Sequence, residues 1–179
     1  MRKIPDKEEC LKLLKDYGTP YHVIRHCMAV CSVSVAIGKR LNKKGYNIDI
    51  DLLRACAMLH DIARIHDKHE AVGASYLTKK GYKEVAYIVA QHTTYKDFSP
   101  VDKINETDLL CIGDRTVKED EFVGVDKRME YIKEKAIKTG REAFVAGIER
   151  GKVILKEYIK QIEDIMGITL DELMKGKDE

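Results

Sequence analysis

The sequence predicts an all-α protein, and three observations favour that class. The 179 residues include no Trp, three Phe and three Pro, beside abundant Lys, Glu, Leu, Ile and Ala, a composition typical of helical proteins. Apolar residues recur at helical spacing between clear start and stop residues, and no segment alternates as a half-buried strand does. The 44% hydrophobic content is sufficient for an independent core.

The first three helices are marked by residues at their ends. Asp6 can cap a helix that ends near Gly18. The pair Thr19–Pro20 has the order of an N-cap and first helical residue, so it predicts the start of a long helix that stops at Gly45. Asp49 can cap the third helix, through DLLRACAMLH.

Later helices follow from the same signals. Gly81 separates two of them, and a long one covers residues 141–166, after Gly140. Thr169 and Glu172 have the spacing of a capping box and predict a last turn. A polar stretch, TTYKDFSPVDKINE, is predicted to be a loop. The remaining predicted helical segments are HEAVGASYLTKK, KEVAYIVAQH, TDLLCIGDRTV and KRMEYIKEKAIK.

We expect one structural domain with two parts. Residues 1–120 should form a helical core, and residues 121–179 should form helices that pack on it. The second part has apolar residues at helical spacing, which favours packing or self-association over chemistry. These residues are Phe144, Ile148, Ile154, Leu155, Ile159, Ile162 and Ile165.

Charge and cysteine content narrow the class of protein. The formal net charge is +2, from 32 basic and 30 acidic residues, so we expect neither a nucleic acid nor a membrane partner. The start, MRKIPDKEEC, has no apolar signal region, which predicts a cytoplasmic protein. Self-association into a homo-oligomer is compatible with the sequence. Five cysteines without a CxxC pair are expected to be reduced core residues rather than disulfides or zinc ligands.

Polar residues on the apolar faces of four helices are of the metal-ligand type. His26 lies three residues after Val23 and four before Val30, which places it on the buried side of the second helix. A single inward histidine is usually a core residue, but several from separate helices, without an inward Lys or Arg, favour a metal site. The same spacing argument points His60, Asp61, His92 and Asp114 inward.

These residues resemble the H, HD, D signature of the HD-domain (HDIG-type) metal-dependent phosphohydrolases, an all-helical superfamily. The resemblance covers roughly residues 21–117 and includes HDIAR, HEAVGA, QHT and GDRTV in order. It implies an HD-domain helical bundle, here with a C-terminal helical extension. His69 in HEAVGA and His92 in QHT match the two additional histidines of members that hold two metals.

The resemblance implies one or two divalent transition-metal ions, because mixed imidazole and carboxylate ligands suit Fe, Mn, Co, Ni or Zn. Asp61 would bridge both ions and take part in catalysis, and Arg64 would bind a substrate phosphate. Thr93, Tyr95 and Lys96 could line the substrate pocket. The implied metal ligands are His26, His60, Asp61, His69, His92 and Asp114.

The expected activity is hydrolysis of a small phosphorylated metabolite, in particular a nucleotide, by a metal-activated hydroxide. The sequence leaves open whether a phosphomonoester, phosphodiester or phosphoanhydride is cleaved. Two alternative functions would use the same six metal ligands. One is a mixed-valent di-iron oxygenase of the same superfamily, and the other is a regulatory binding module that holds metal without turnover.

Overall fold

The computed structural model describes residues 3–93 and 97–176. Within these ranges the chain forms nine α-helices and one short β-hairpin, which confirms the predicted all-α class. The helices are α1 (Lys7–Tyr17), α2 (Tyr21–Asn42), α3 (Ile50–Leu59), α4 (His69–Lys79), α5 (Lys83–Val89), α6 (Glu106–Asp114), α7 (Gly124–Lys138), α8 (Val145–Met166) and α9 (Leu170–Met174).

Helix α2 lies at the centre of the bundle. It packs against α3 and α6, and it also contacts α8, α9 and the hairpin. Its buried residues include Cys27, Val30, Ile37 and Leu41. Among the described residues, α2 is the one helix with the length and apolar content of a membrane span. Since its apolar face fills the core, core packing accounts for that composition.

Gly113 allows α6 to approach α2 closely. A Cβ atom at this residue would collide with Oγ of Ser34 and lie 3.0 Å from the carbonyl oxygen of Val30. The Ser34 hydroxyl also donates a hydrogen bond of 3.0 Å to the carbonyl oxygen of Leu109 on α6. Because Asp114 follows Gly113 directly, this close contact determines where the Asp114 carboxylate lies relative to α2.

Several predicted helix caps are confirmed. The Asp6 carboxylate accepts a hydrogen bond from a backbone N–H of the first turn of α1, and Gly18 ends that helix at φ +82°. Asp49 accepts two backbone N–H groups at the start of α3. Thr169 and Glu172 form the reciprocal capping box of α9. These caps satisfy backbone donors that have no partner inside the helix.

The predicted cap at the start of α2 is wrong. Pro20 occupies the N-cap position without a side-chain cap, and the helix begins at Tyr21. The hydroxyl of Thr19 instead donates a buried hydrogen bond of 2.7 Å to the carbonyl oxygen of Ile62. This bond joins the start of α2 to the segment that follows α3.

The structure differs from the prediction again after α6. The helix ends at Asp114, and the chain turns into strands β1 (Val117–Lys118) and β2 (Glu121–Phe122), which pair antiparallel. A 3-10 turn, Glu142–Phe144, then precedes α8. Strands of two residues are too short to show the alternation on which a strand prediction depends.

The C-terminal helices share the core of the N-terminal helices. Their buried side chains form one continuous apolar cluster with α1 to α6, and the contributing residues include Leu155, Ile159, Ile162, Met166 and Leu170. The first half of α8 does not pack inward in this way. Ile154 is exposed, as is Phe144 in the 3-10 turn that precedes the helix, so the predicted apolar face is buried mainly along the second half of the helix.

Candidate metal centre

Six side chains with metal-binding atoms meet at one end of the bundle. Five separate helices or the turns beside them supply these side chains, and their nitrogen to oxygen contacts range from 3.0 to 3.8 Å. The six are His26 within α2, His60 and Asp61 directly after α3, His69 at the first position of α4, His92 three residues after α5, and Asp114 at the last position of α6.

The first group in the cluster surrounds Oδ1 of Asp114. Nε2 of His26 lies 3.0 Å from this oxygen, and Nε2 of His60 lies 3.8 Å from it. The donor atoms of the three residues lie within 4.8 Å of one another. Nε2 of His60 is fully buried and has no hydrogen-bond partner in the described part of the chain. Such an unpaired buried nitrogen costs about 1 to 3 kcal/mol, which a bound ion would offset.

The second group surrounds Asp61. Its Oδ1 lies 3.0 Å from Nε2 of His69 and 3.4 Å from Nε2 of His92. Its Oδ2 lies 3.7 Å from Nε2 of His60. Asp61 therefore contacts three imidazoles and stands between the two groups, where the resemblance places a bridging carboxylate.

Backbone carbonyl groups fix the orientation of three imidazoles. Nδ1 of His26 lies 2.6 Å from the carbonyl oxygen of Glu119 in the hairpin turn. Nδ1 of His60 and Nδ1 of His92 likewise lie 2.8 and 2.7 Å from the carbonyl oxygens of residues 57 and 89. A carbonyl oxygen can only accept, so each Nδ1 carries the proton. Nε2 is therefore the atom that each ring directs toward the cluster, as in many metal-binding histidines, and in the neutral form of the ring it carries the lone pair that can bind an ion.

The protonation states also suit metal binding. Burial lowers the pKa of His60 to about 4, so this imidazole is neutral at pH 7. Burial raises the pKa of Asp114, but the hydrogen bond with His26 and nearby positive charge outweigh burial and hold that pKa well below its usual value. The surrounding imidazoles similarly overcome burial and lower the pKa of Asp61. A neutral imidazole and ionised carboxylates are the forms that bind cations.

The donor set fits a divalent transition metal. Imidazole nitrogen suits Zn, Fe, Co and Ni, and carboxylate oxygen also accepts Mn. The unpaired Nε2 of His60 supplies a structural reason for an ion in addition to the residue types. A calcium or magnesium site would draw its ligands from oxygen atoms rather than from so many histidines.

The predicted substrate residues have different positions. Arg64 lies beside the cluster, with Nε 3.4 Å from Oδ2 of Asp61 and a side chain that is 44% exposed. Thr93 is exposed and directly follows the buried His92. Tyr95 and Lys96 lie outside the described residues.

Two groups near the cluster were not predicted from the sequence. One is the carbonyl group of Glu119, which orients His26. The other is Arg128 on α7, whose Nη2 lies 3.6 Å from Oδ1 of Asp114. Helical spacing shows that Arg128 is next to the buried Met129, but spacing within α7 does not reveal which other element it faces.

The chain is similar in sequence to several known proteins. A tRNA (cytidine(56)-2'-O)-methyltransferase from Thermoplasma volcanium is 40% identical over 93 residues, covering 50% of this chain and 26% of that protein. An uncharacterized protein from Methanocaldococcus jannaschii is 32% identical over 87 residues, covering 47% of this chain and 51% of that protein. A tRNA (cytidine(56)-2'-O)-methyltransferase from Picrophilus torridus is 24% identical over 193 residues, covering 98% of this chain and 51% of that protein.

The chain thus spans about half or less of the length of these relatives. No solved structure was found to match it. The HD domain family matches residues 23–121, more than half of the chain. This range contains all six side chains of the cluster, while Arg128 lies beyond it. On the strength of that match, the chain belongs to the HD domain family.

Proposed function

We propose that this protein is a metal-dependent phosphohydrolase that acts on a small phosphorylated metabolite of the nucleotide class. The observation that carries the proposal is the buried Nε2 of His60, which has no hydrogen-bond partner among the described residues and lies 3.7 Å from Asp61 and 3.8 Å from Asp114. Membership of the HD domain family supports metal-dependent hydrolysis as the general chemistry.

The two groups of the cluster would hold the ions. When bound, an ion supplies a hydroxide at neutral pH, because coordination lowers the pKa of water from about 15.7 to about 7. The first group, around Asp114, would hold one ion, and the second group would hold another, with Asp61 shared between them. The residues involved are His26, His60, Asp61, His69, His92 and Asp114.

Other residues would prepare the site and bind substrate. The carbonyl groups that accept from Nδ1 keep the Nε2 atoms directed at the cluster, and His60, which is neutral at pH 7, can bind an ion without losing a proton. Arg64 contacts Asp61 through Nε. Its terminal nitrogens can donate to two oxygens of one phosphate group, a geometry to which a guanidinium is suited.

The relatives support the nucleotide class of substrate. Two of them are named as methyltransferases of a tRNA cytidine. The chain covers at most 51% of the length of either protein, so we do not propose methyl transfer for it. A nucleotide shares its phosphate and base chemistry with RNA, and for that reason we favour nucleotides over sugar phosphates.

The contact of Asp61 with three histidines also fits a second candidate function, a mixed-valent di-iron oxygenase. The two reactions can be distinguished by whether they require oxygen and by which metals support them. Hydrolysis should proceed without oxygen and with several divalent metals, whereas an oxygenase should consume oxygen with iron and remain inactive with manganese. A regulatory module without turnover would bind a ligand and release no product.

The test begins with elemental analysis of protein purified without added metal or chelator. Phosphate release is then measured with nucleoside phosphates, dinucleoside polyphosphates and cyclic dinucleotides, each with Mn, Fe, Co, Ni or Zn. We expect His60→Ala and Asp61→Asn to lose at least about a hundredfold in activity, since the first removes a ligand and the second removes the negative charge that attracts the ion. His22→Ala, an exposed histidine on α2, is the control. Hydrolysis that survives both ligand changes would defeat the proposal.

A further inference from the structure

Arg128 brings a positive charge to the candidate metal centre from a helix outside the family match. Its Nε donates a hydrogen bond of 3.2 Å to the carbonyl oxygen of Asp114. Its Nη2 lies 3.6 Å from Oδ1 of the same residue, and the side chain is 16% exposed. The guanidinium is therefore held at the cluster and still reaches solvent.

The hydrogen-bonding capacity of Arg128 is largely unused. A guanidinium has five N–H groups, and in residues 3–93 and 97–176 this one makes a single hydrogen bond, through Nε. The separation of Nη2 and Oδ1 is that of an ion pair and is longer than a hydrogen bond. The terminal nitrogens can therefore donate to oxygen atoms of a ligand.

Occupation of the site by a metal would change the charge balance around Arg128. In the metal-free protein, the Asp114 carboxylate offsets the charge of the guanidinium. If that carboxylate also binds a divalent cation, two neighbouring positive groups share one negative partner. Their repulsion is poorly screened at a partly buried site. An anionic ligand that contacts both the bound cation and the Arg128 guanidinium would offset their positive charges.

A second cation lies on the same side of the cluster. Nζ of Lys118 is 4.8 Å from the ring centroid of Tyr131, and Cζ of Arg128 is 5.7 Å from the same centroid. No acidic side chain pairs with Lys118 in the part of the chain that is described. Two cationic side chains therefore lie near the ring of Tyr131, and either can attract an anion.

We infer that Arg128 binds a phosphate oxygen of the substrate on the Asp114 side of the centre, the same role that is proposed for Arg64 beside Asp61. This inference rests on the proposed function. It makes α7, which the family match does not include, a contributor to substrate binding. If Arg128 had only a structural role, it would hold Asp114 in place. Replacing Arg128 would then lower the metal content of the protein before it affected phosphate binding.

The test uses the metal-loaded protein and inorganic phosphate as the probe. Arg128→Gln and Arg128→Lys are compared with Lys127→Gln, which removes one positive charge from the adjacent, exposed position of the same helix. Metal content is measured first, and phosphate affinity is then measured by calorimetry. We expect Arg128→Gln to keep its metal and weaken phosphate binding by at least about tenfold, the effect of losing a charged hydrogen bond.

Arg128→Lys should lose less affinity than Arg128→Gln because it keeps the charge but not the planar donor group, and Lys127→Gln should match the wild type. In the hydrolysis assay, Arg128→Gln should raise KM more than it lowers kcat. Loss of metal from both Arg128 variants would show a structural role and overturn the inference. Full metal content with unchanged phosphate affinity would also overturn it. A wild-type protein that binds metal and phosphate but hydrolyses nothing would defeat the proposed function alone.

Discussion

Nε2 of His69 and Nε2 of His92 lie 3.3 Å apart, and both face Oδ1 of Asp61. Nδ1 of His92 donates to the carbonyl oxygen of Val89, so a proton on Nε2 as well would make that ring cationic. The arrangement therefore concentrates two imidazole nitrogens around one carboxylate oxygen. An ion bound here would displace any proton held between these atoms.

The first prediction concerns metal stoichiometry. Purified protein should contain close to two ions per chain, and His69→Ala should contain about one, because this change removes a ligand from the Asp61 group and leaves the Asp114 group intact. Elemental analysis of both proteins measures the change, with His22→Ala as the control. An unchanged metal content in His69→Ala would mean that His69 is not a ligand.

The second prediction concerns stability. Removal of metal by a chelator should lower the free energy of unfolding by about 3 kcal/mol, the linkage expected when free metal is roughly a hundred times its Kd. Denaturant unfolding with and without chelator measures this difference. His60→Ala should lose most of the chelator effect because Nε2 of His60 is buried and has no hydrogen-bond partner within the described ranges. A chelator effect of wild-type size in that variant would count against the site.

The third prediction tests the close contact of α2 and α6. Gly113→Ala should lower the free energy of unfolding by about 1 to 3 kcal/mol through overpacking, and it should reduce metal content because the neighbouring Asp114 moves away from His26. Gly151→Ala is the matched control, since a Cβ there meets nothing within 4 Å. Replacing that helical glycine should stabilise the protein by about 0.5 to 1 kcal/mol. Equal effects at the two glycines would refute the packing argument.

The fourth prediction concerns pH. Burial lowers the pKa of His26, but the interaction with Asp114 outweighs it and raises the pKa above 6.5. Asp61 raises the pKa of His92 in the same way. Protons therefore compete with metal already above pH 6.5 at these two residues, whereas His60, with a pKa of about 4, adds competition only in acid.

Metal affinity, and the stability that metal provides, should thus be full at high pH and fall as the pH decreases through the pKa values of His26 and His92. Binding near neutral pH should release protons. Calorimetry in two buffers of different ionisation enthalpy measures that release. Affinity that stays constant as the pH falls through 6.5 would contradict the assignment of these histidines as ligands.

Much of the helical framework could be predicted because its signals are local. The first turns of α1, α3 and α9 donate hydrogen bonds to the side chains of Asp6, Asp49 and Thr169. Because each cap contacts only its own helix, the position of the residue in the sequence was sufficient to predict it. The inward direction of His26 also followed from its distance to Val23 and Val30 along one helix.

The missed features depend on contacts between distant segments. Thr19 has the right position for a cap, but its hydroxyl donates to Ile62, 43 residues away. Arg128 reaches Asp114 only because α7 folds back after the hairpin. No periodicity within one helix contains that information, and two-residue strands leave no pattern by which the hairpin could be recognised.

The hydrogen bond between Nδ1 of His26 and the carbonyl oxygen of Glu119 spans 93 residues. It has a consequence during synthesis at the ribosome. His26 emerges early, but the group that selects its tautomer emerges only after all six side chains of the cluster. Closing so long a loop carries an entropic cost that folding of the intervening helices must offset. The growing chain therefore cannot complete the geometry of the cluster until the hairpin has formed, so an ion would find all six side chains in place only after α1 to α6 have been synthesised.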